Sequence, residues 1–451
     1  MNTLSKTKNR KKSSLQKRCI VCAGIFLCLF SCNDKNETGA TAEDAPPYDP
    51  NQPVELTRFY PDSGGMATKI ILEGNNFGND PEKIRVYYNR KRAAVVKVAG
   101  DLLYAITPRQ PGDTCVISVA IGTDSISYPE TFEYTTEIGV STVTGQKGST
   151  EHKEGTLNEA RFVYPQHVAV DPDGNVYVAV EGQGLWLVSE EKNTVMKLIA
   201  NTTTYNAPTL DLSTGRHILL PQNNPNTYLR ISIDDAFSIR TYNPQRVPNP
   251  EKGINSWNNN FKHQFASCRV DSMIYFGSRT DSYVVQINPN TKEMKPVFDL
   301  RTVNGVNYQS NYFAMFHPID HHMLYLSVRN LHSICTYNIL TGEFAHYAGT
   351  YNSLGHVDGD RLTAKFNEPC QVDFDQDGNM YVADKNNHCI RKINPDGVVT
   401  TVVGIPGVSG YLDGTRDNAM FNTPWGVAVA KDGSVYVSDR SNNTLRKLSI
   451  Q

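Results

Sequence analysis

The chain has 451 residues with 44 basic against 46 acidic side chains, a formal net charge of -2, and its 39% hydrophobic content suffices for more than one buried core. So even a balance excludes a global field that would draw the protein to nucleic acid, and any charged site is therefore local. The length predicts two folded units.

Lys6, Lys8, Arg10, Lys11, Lys12, Lys17 and Arg18 precede the short apolar run CIVCAGIFLCLFS, which ends at Cys32. This is the pattern of a signal peptide over residues 1–32, too short to span a bilayer stably. Leu29-Phe30-Ser31-Cys32 resembles a bacterial lipobox, which implies that Cys32 is lipidated and becomes the mature N-terminus. Phe30 is bulkier than that pattern, and cleavage by ordinary signal peptidase nearby is the alternative. Residues 33–52 have little to bury and several turn formers, so they read as a flexible tether. Asp34 and Glu37 are similar to the export signals of some Gram-negative surface lipoproteins, which implies an outer-membrane protein facing the exterior and touching the membrane through its lipid alone.

Residues 53–136 contain about seven short β-type runs between turn signals, the pattern of an immunoglobulin-like sandwich. The opening YPDSGGMATKIILEGNNFG resembles the IPT/TIG family. The resemblance implies a turn at Pro61 and Gly64-Gly65, core positions at Ile71 and Leu72, a tight loop at Asn75–Gly78, and a spacer or interaction module without catalysis.

Residues 137–451 are repetitive. FNEPCQVDFDQDGNMYVADKNNHCIRKI at 366–393 recurs as FNTPWGVAVAKDGSVYVSDRSNNTLRKL at 421–448, and ARFVYPQHVAVDPDGNVYVAV is a third copy. Each has an alternating apolar run, an Asp-Gly hairpin turn and a second run centred on a tyrosine, with an apolar residue nine positions further on. That spacing recovers weaker copies and gives markers at Tyr177, Leu219, Tyr275, Tyr325, Tyr381 and Tyr436. Six four-stranded units predict an all-β fold, a sandwich followed by a six-bladed β-propeller, and the strong copies resemble NHL repeats. Insertions around 201–216 and 243–262 leave a seven-bladed count open. The last copy stops before its fourth strand, so VSTVTG at 140–145 is expected to supply it and latch the ring.

Outside the signal, Cys115, Cys268, Cys335, Cys370 and Cys389 are odd in number and widely spaced, which predicts buried free thiols. DFDQDGN at 373–379 has the look of a calcium loop, but equivalent hairpins lack its carboxylates, so an ordinary turn is expected. His317, His321 and His322 lack the spacing of a zinc site, and neither metal nor cofactor is expected. No G-x-S-x-G, H-E-x-x-H or P-loop motif occurs.

Trp186 sits at a core position. Trp425, directly after the repeat proline where the chain enters the innermost strand, and Trp257, in the insertion GINSWNNNF, are the aromatic candidates for stacking on a ligand. Four residues after each marker, Arg279, Arg329, Lys385 and Arg440 form a basic column in blades 3 to 6, with Glu181 and Asn223 in blades 1 and 2. The column reads either as solvated loop cations or as a site for carboxylate- or sulfate-bearing ligands. The expectation is a non-catalytic surface lipoprotein that binds an extracellular polymer, a glycan first, with surface or import proteins as further partners and no nucleic acid. The alternatives are a metal-assisted propeller lyase or lactonase and a protein-protein scaffold or adhesin.

Overall fold

The computed structural model describes residues 46–109, 114–200, 206–222, 227–258, 264–303 and 311–450. The signal peptide, Cys32, most of the tether and Asn223 lie outside them. Among the described residues no helix is long and apolar enough to cross a membrane.

The first unit is a β-sandwich built from strands between Glu55 and Tyr134. Strand Lys91–Ala99 joins its two sheets, pairing through Ala93 with Ile84–Tyr88 and from Ala94 with Leu102–Ile106, with a bulge between Val95 and Lys97 within the second pairing. A bulge bends the strand and increases its twist, which lets one strand serve both sheets. In strand Lys69–Asn75 the fully buried side chains are Ile70 and Leu72, while Ile71 is half-buried. The expected Ile71 and Leu72 cannot both face the core, because successive side chains of a strand alternate between faces. Asn76 and Gly78 adopt positive φ and swing Phe77 into the core, where it is 1% exposed.

The second unit is a six-bladed propeller of antiparallel blades, and each marker lies on the second strand of its blade. The innermost strands include Pro165–Val170 in blade 1, Tyr312–Phe316 in blade 4, Pro369–Phe374 in blade 5 and Pro424–Val429 in blade 6. Apolar clusters lie between neighbouring blades: Ala169, Tyr177 and Leu187 of blade 1 pack with Ile218, Leu220 and Leu229 of blade 2. Val168, Val178 and Trp186 of blade 1 pack with Ala428, Tyr436 and Leu445 of blade 6. A blade cannot bury either face alone, which is the physical reason for the repetition.

Ring closure follows the expected latch. Strand Ile138–Gly145 pairs antiparallel with Thr444–Ile450 and completes blade 6 from the N-terminal side. The insertion at 243–262 adds Gln245–Arg246 to the outer edge of blade 3, alongside Glu293–Asp299. The five cysteines among the described residues are buried thiols outside any disulfide.

The best-preserved repeats, blades 5 and 6, each bury a charged pair. Arg391 and Asp384 are fully buried 2.9 Å apart, and Arg446 and Asp439 repeat that geometry at 2.9 Å. Arg391 also donates to Asp358 and to the carbonyls of Val357 and Lys365, while Asn387 and the Asn367 amide donate to Asp384. Charges so far from water need their donors and acceptors matched; Arg391 meets this at every nitrogen, while Arg446 Nε has no partner among the described residues, and in both blades the network ties the inner loop to the second and third strands.

The sandwich docks on one face of the ring. Arg109 donates to the Ile450 carbonyl at 2.7 and 3.1 Å, and Lys91 pairs with Asp377 on the Asp-Gly hairpin of blade 5. Tyr48, at the start of the described chain, lies at the other end of the sandwich, against Gly78 and Gly122. Strand Ile84–Tyr88 runs between these two ends, so the sandwich separates the N-terminal segment from the propeller.

Candidate functional site

On the face away from the sandwich, each of blades 4, 5 and 6 connects its second and third strands by one 3-10 turn: Arg329–Leu331, Lys385–Asn387 and Arg440–Asn442. The next residue, His332, His388 or Asn443, is left-handed with φ near 57°. Its side chain accepts the backbone N–H of the residue before the next blade's repeat proline, from Glu368 (3.1 Å), Thr423 (3.0 Å) and Tyr164 (2.9 Å) respectively. These donating residues are themselves at positive φ. One staple per junction thus sets the position of the turn's first residue, which is the cation.

Three of the four basic residues of the column converge on one ring. The Arg329 guanidinium carbon is 5.0 Å from the Trp425 centroid, Lys385 Nζ is 4.8 Å and the Arg440 guanidinium carbon is 5.0 Å. Trp425 is half-buried and also neighbours the His167 ring in the channel. With three cations packed around it, the indole serves as their post through its quadrupole, rather than as a bare platform for a sugar. Arg279 occupies the matching loop of blade 3, between Ile274–Gly277 and Tyr283–Asn288, and is half-buried. Trp257 is placed elsewhere: it packs on the core of blades 2 and 3 and its indole N–H donates to the Val247 carbonyl at 2.9 Å.

Two glutamates offset the repulsion among the cations. Glu368 accepts from Arg329 at 2.5 Å and from Lys385 at 2.6 Å, while Glu181 accepts from Arg440 at 2.6 Å and from Gln166 at 3.0 Å. Glu181 is the blade 1 member of the same column, so closing the ring brings it beside Arg440. Burial would raise the Glu368 carboxyl, but the hydrogen bonds from Lys385 and Arg329 outweigh it and hold the pKa below the ordinary glutamate value. Three cations against two carboxylates leave one net positive charge at the indole. Two donors at this site lack an acceptor, the Trp425 indole N–H and Arg440 Nε.

Tyr164 was not among the sequence candidates. It is 45% exposed, and the Arg440 guanidinium lies 4.5 Å from its centroid. Its signal was present in the sequence: it directly precedes the repeat proline, as Glu368 and Thr423 do. The site therefore offers a part-exposed tyrosine ring beside two guanidiniums and an ammonium that are only 13–22% exposed, held on loops of a rigid ring.

The metal-like motifs have structural explanations. Asp375 caps its hairpin turn, accepting from the Asp377 and Asn379 amides at 3.0 and 2.9 Å, as Asp171 does in blade 1. His317 Nδ1 accepts the Asp320 amide at 2.9 Å, and its ring packs edge-on against Phe374. Among the described residues no group of three or more His, Cys, Asp or Glu side chains is arranged to hold a metal ion.

Residues 53–134 match the IPT/TIG domain family, and residues 421–448 match the NHL repeat. NHL repeat-containing protein 2 from Bos taurus is 31% identical over 102 residues, 22% of this chain and 14% of that protein. The chain thus spans a small part of the curated relatives it matches. Among solved structures, a protein of unknown function from Bacteroides thetaiotaomicron aligns over 90% of this chain and 100% of its own, with TM-score 0.75 and 24% identity. An auxiliary nutrient binding protein from the same organism covers 90% and 99% at TM-score 0.59 and 24% identity, and one from Bacteroides ovatus covers 90% and 100% at 0.57 and 22%. These likenesses carry the fold: an IPT/TIG sandwich followed by a six-bladed NHL-type propeller.

Proposed function

We propose that the protein is a non-catalytic binding protein, anchored through Cys32 to the outer membrane and facing the exterior, whose propeller captures an acidic glycan at the Trp425 face. The supporting observation is the gathering of Arg329, Lys385 and Arg440 from three consecutive blades around one indole, beside the exposed ring of Tyr164. Carboxylates or sulfates on the polymer meet the guanidinium forks, and a sugar ring stacks on Tyr164. The sandwich supports this role by standing on the opposite face, between the propeller and the N-terminal tether. The description of two proteins of the same fold as auxiliary nutrient binding proteins fits it.

The test is a glycan array that includes acidic polysaccharides, read at low and high ionic strength. Salt-sensitive binding of acidic polymers that is lost in Arg440→Ala and weakened in Tyr164→Ala is expected. Hits confined to neutral glycans, or an Arg440→Ala variant that binds like the parent, overturn the proposal.

A further inference from the structure

The opposite mouth of the channel carries a second feature that the Trp425 face does not use. A cavity of about 380 Å3 lies there, lined by residues of all six blades, among them Val168, Leu210, Gln264, Phe316, Asp373 and Val429. That is within the size range of small-ligand sites, which combine apolar walls with a few polar groups.

The polar groups in this wall are under-used. Among the described residues, Gln264 is 1% exposed and neither its Oε1 nor its Nε2 has a partner; Thr209, 2% exposed and also in the wall, has an unpartnered Oγ1. Leaving a buried polar group unsatisfied costs on the order of 1–3 kcal/mol. Asp373 accepts one backbone N–H on each oxygen, from Phe374 at 2.8 Å and Val429 at 2.8 Å, which leaves each oxygen further lone-pair capacity. Its burial pushes the carboxyl up to about 7.

This set of groups selects a ligand by chemistry. A carboxamide presents donors and an acceptor, a hydroxyl presents both, and the carboxyl mainly accepts. The lining also holds Arg269 and Lys431 against Asp171, Asp373 and Asp375, so an ion of either sign meets like charge in this wall. An ammonium, having only donors, would leave the Gln264 Nε2 hydrogens unmatched. Hydroxyls both donate and accept, and the C–H face of a compact ring packs against Phe316 and Phe374.

We infer that this mouth of the channel is a binding site for a small neutral polyhydroxylated ligand of monosaccharide size, separate from the Trp425 face. Binding turns the Gln264 carboxamide from within the wall toward the ligand, a side-chain rearrangement of the kind common at interfaces. The sandwich stands beside the entrance, since Asp377, which pairs with Lys91, adjoins Gln376 of the lining.

Saturation-transfer NMR and calorimetry on the full chain test this with D-glucose, D-galactose, D-mannose, N-acetyl-D-glucosamine and myo-inositol, and with acetate and tetramethylammonium as charged probes. At least one neutral probe is expected to bind more tightly than either charged one. The double variant Gln264→Leu/Thr209→Val should raise the melting temperature, because it removes unsatisfied groups, and should weaken that probe at least tenfold. Trp425→Ala should leave the probe's affinity unchanged, which separates this site from the glycan face. The inference is overturned if no neutral probe binds, if a charged probe binds tighter, if the double variant retains affinity, or if Trp425→Ala abolishes it. Should the double variant not fold, Asp373→Asn must give the same tenfold loss, and parental affinity in that variant also overturns it.

Discussion

Glu368 opposes the ligand charge that the face is proposed to attract, so removing its charge should strengthen binding. Its carboxylate is shared by Arg329 and Lys385 at 2.5 and 2.6 Å, and any anion that reaches those cations comes within reach of its repulsion. For a ligand charge about 7 Å away, that repulsion is roughly 2.4 kcal/mol at an effective dielectric of about 20, and roughly 0.6 kcal/mol at about 80. The carboxylate is 28% exposed and the two cations are 18% and 13% exposed, so the environment lies between those limits. Glu368→Gln is therefore expected to tighten binding of an acidic polysaccharide by about tenfold, within a span of about 3- to 60-fold. The assay is surface-based binding of polygalacturonate and of chondroitin sulfate to the parent and the variant at several ionic strengths, with circular dichroism as the folding control. The gain should be largest at low salt and shrink as the screening length falls. A folded Glu368→Gln variant that binds no more tightly than the parent at low ionic strength refutes the electrostatic account of this face.

The blade staples carry a pH signature. Burial lowers the pKa of His332 and His388 below the ordinary histidine value, and both rings accept a backbone N–H while neutral. As pH falls the unfolded chain takes up protons first, so the staples' contribution is present above about pH 6.5 and lost as pH drops below it. His388→Asn, which places there the residue that blade 6 has at Asn443, should flatten this acid limb in urea melts; an unchanged pH dependence refutes the assignment. Asp439→Ala leaves Asp413 as the remaining carboxylate partner of Arg446 and orphans the Asn422 and Asn442 donors, and should cost at least about 2 kcal/mol, whereas Asp439→Leu/Arg446→Met should cost less, as chemical denaturation will show. In the latch, Val140 is 5% exposed, and Val140→Asp should reduce stability by at least about 2 kcal/mol and lower the melting temperature; an unchanged melt refutes the role of that strand in closure.

The degree to which this architecture can be read from the residues follows from the physics of repetition. Blades 5 and 6 carry the same Phe, Pro, Asp and Arg because the same buried network has to be satisfied twice, at Asp384–Arg391 and at Asp439–Arg446. Blades 2 to 4 lack that pair. They are recognised only by the spacing of two core side chains on adjacent strands, such as Leu219 and Tyr228, a weaker but sufficient signal. Trp257 illustrates the limit: nothing in GINSWNNNF indicates that its ring packs, half-buried, on the core of blades 2 and 3, because that packing depends on residues far away in the chain.

Local pattern thus determined the two units, six repeat markers, the latch and the existence of a basic column, since alternation, turn residues and repeat spacing are properties of neighbouring positions, while the structure closed the count at six blades. The tertiary structure alone decided what that column packs against. Ring closure places Glu181 of blade 1 against Arg440 of blade 6, residues 259 positions apart, and Glu368 between Arg329 and Lys385. It also turns Trp425 from an apparent sugar platform into the post around which the cations gather, and leaves Tyr164 as the exposed ring. Charges and aromatic faces act through space over a few ångströms, and only the closed ring brings these side chains that near.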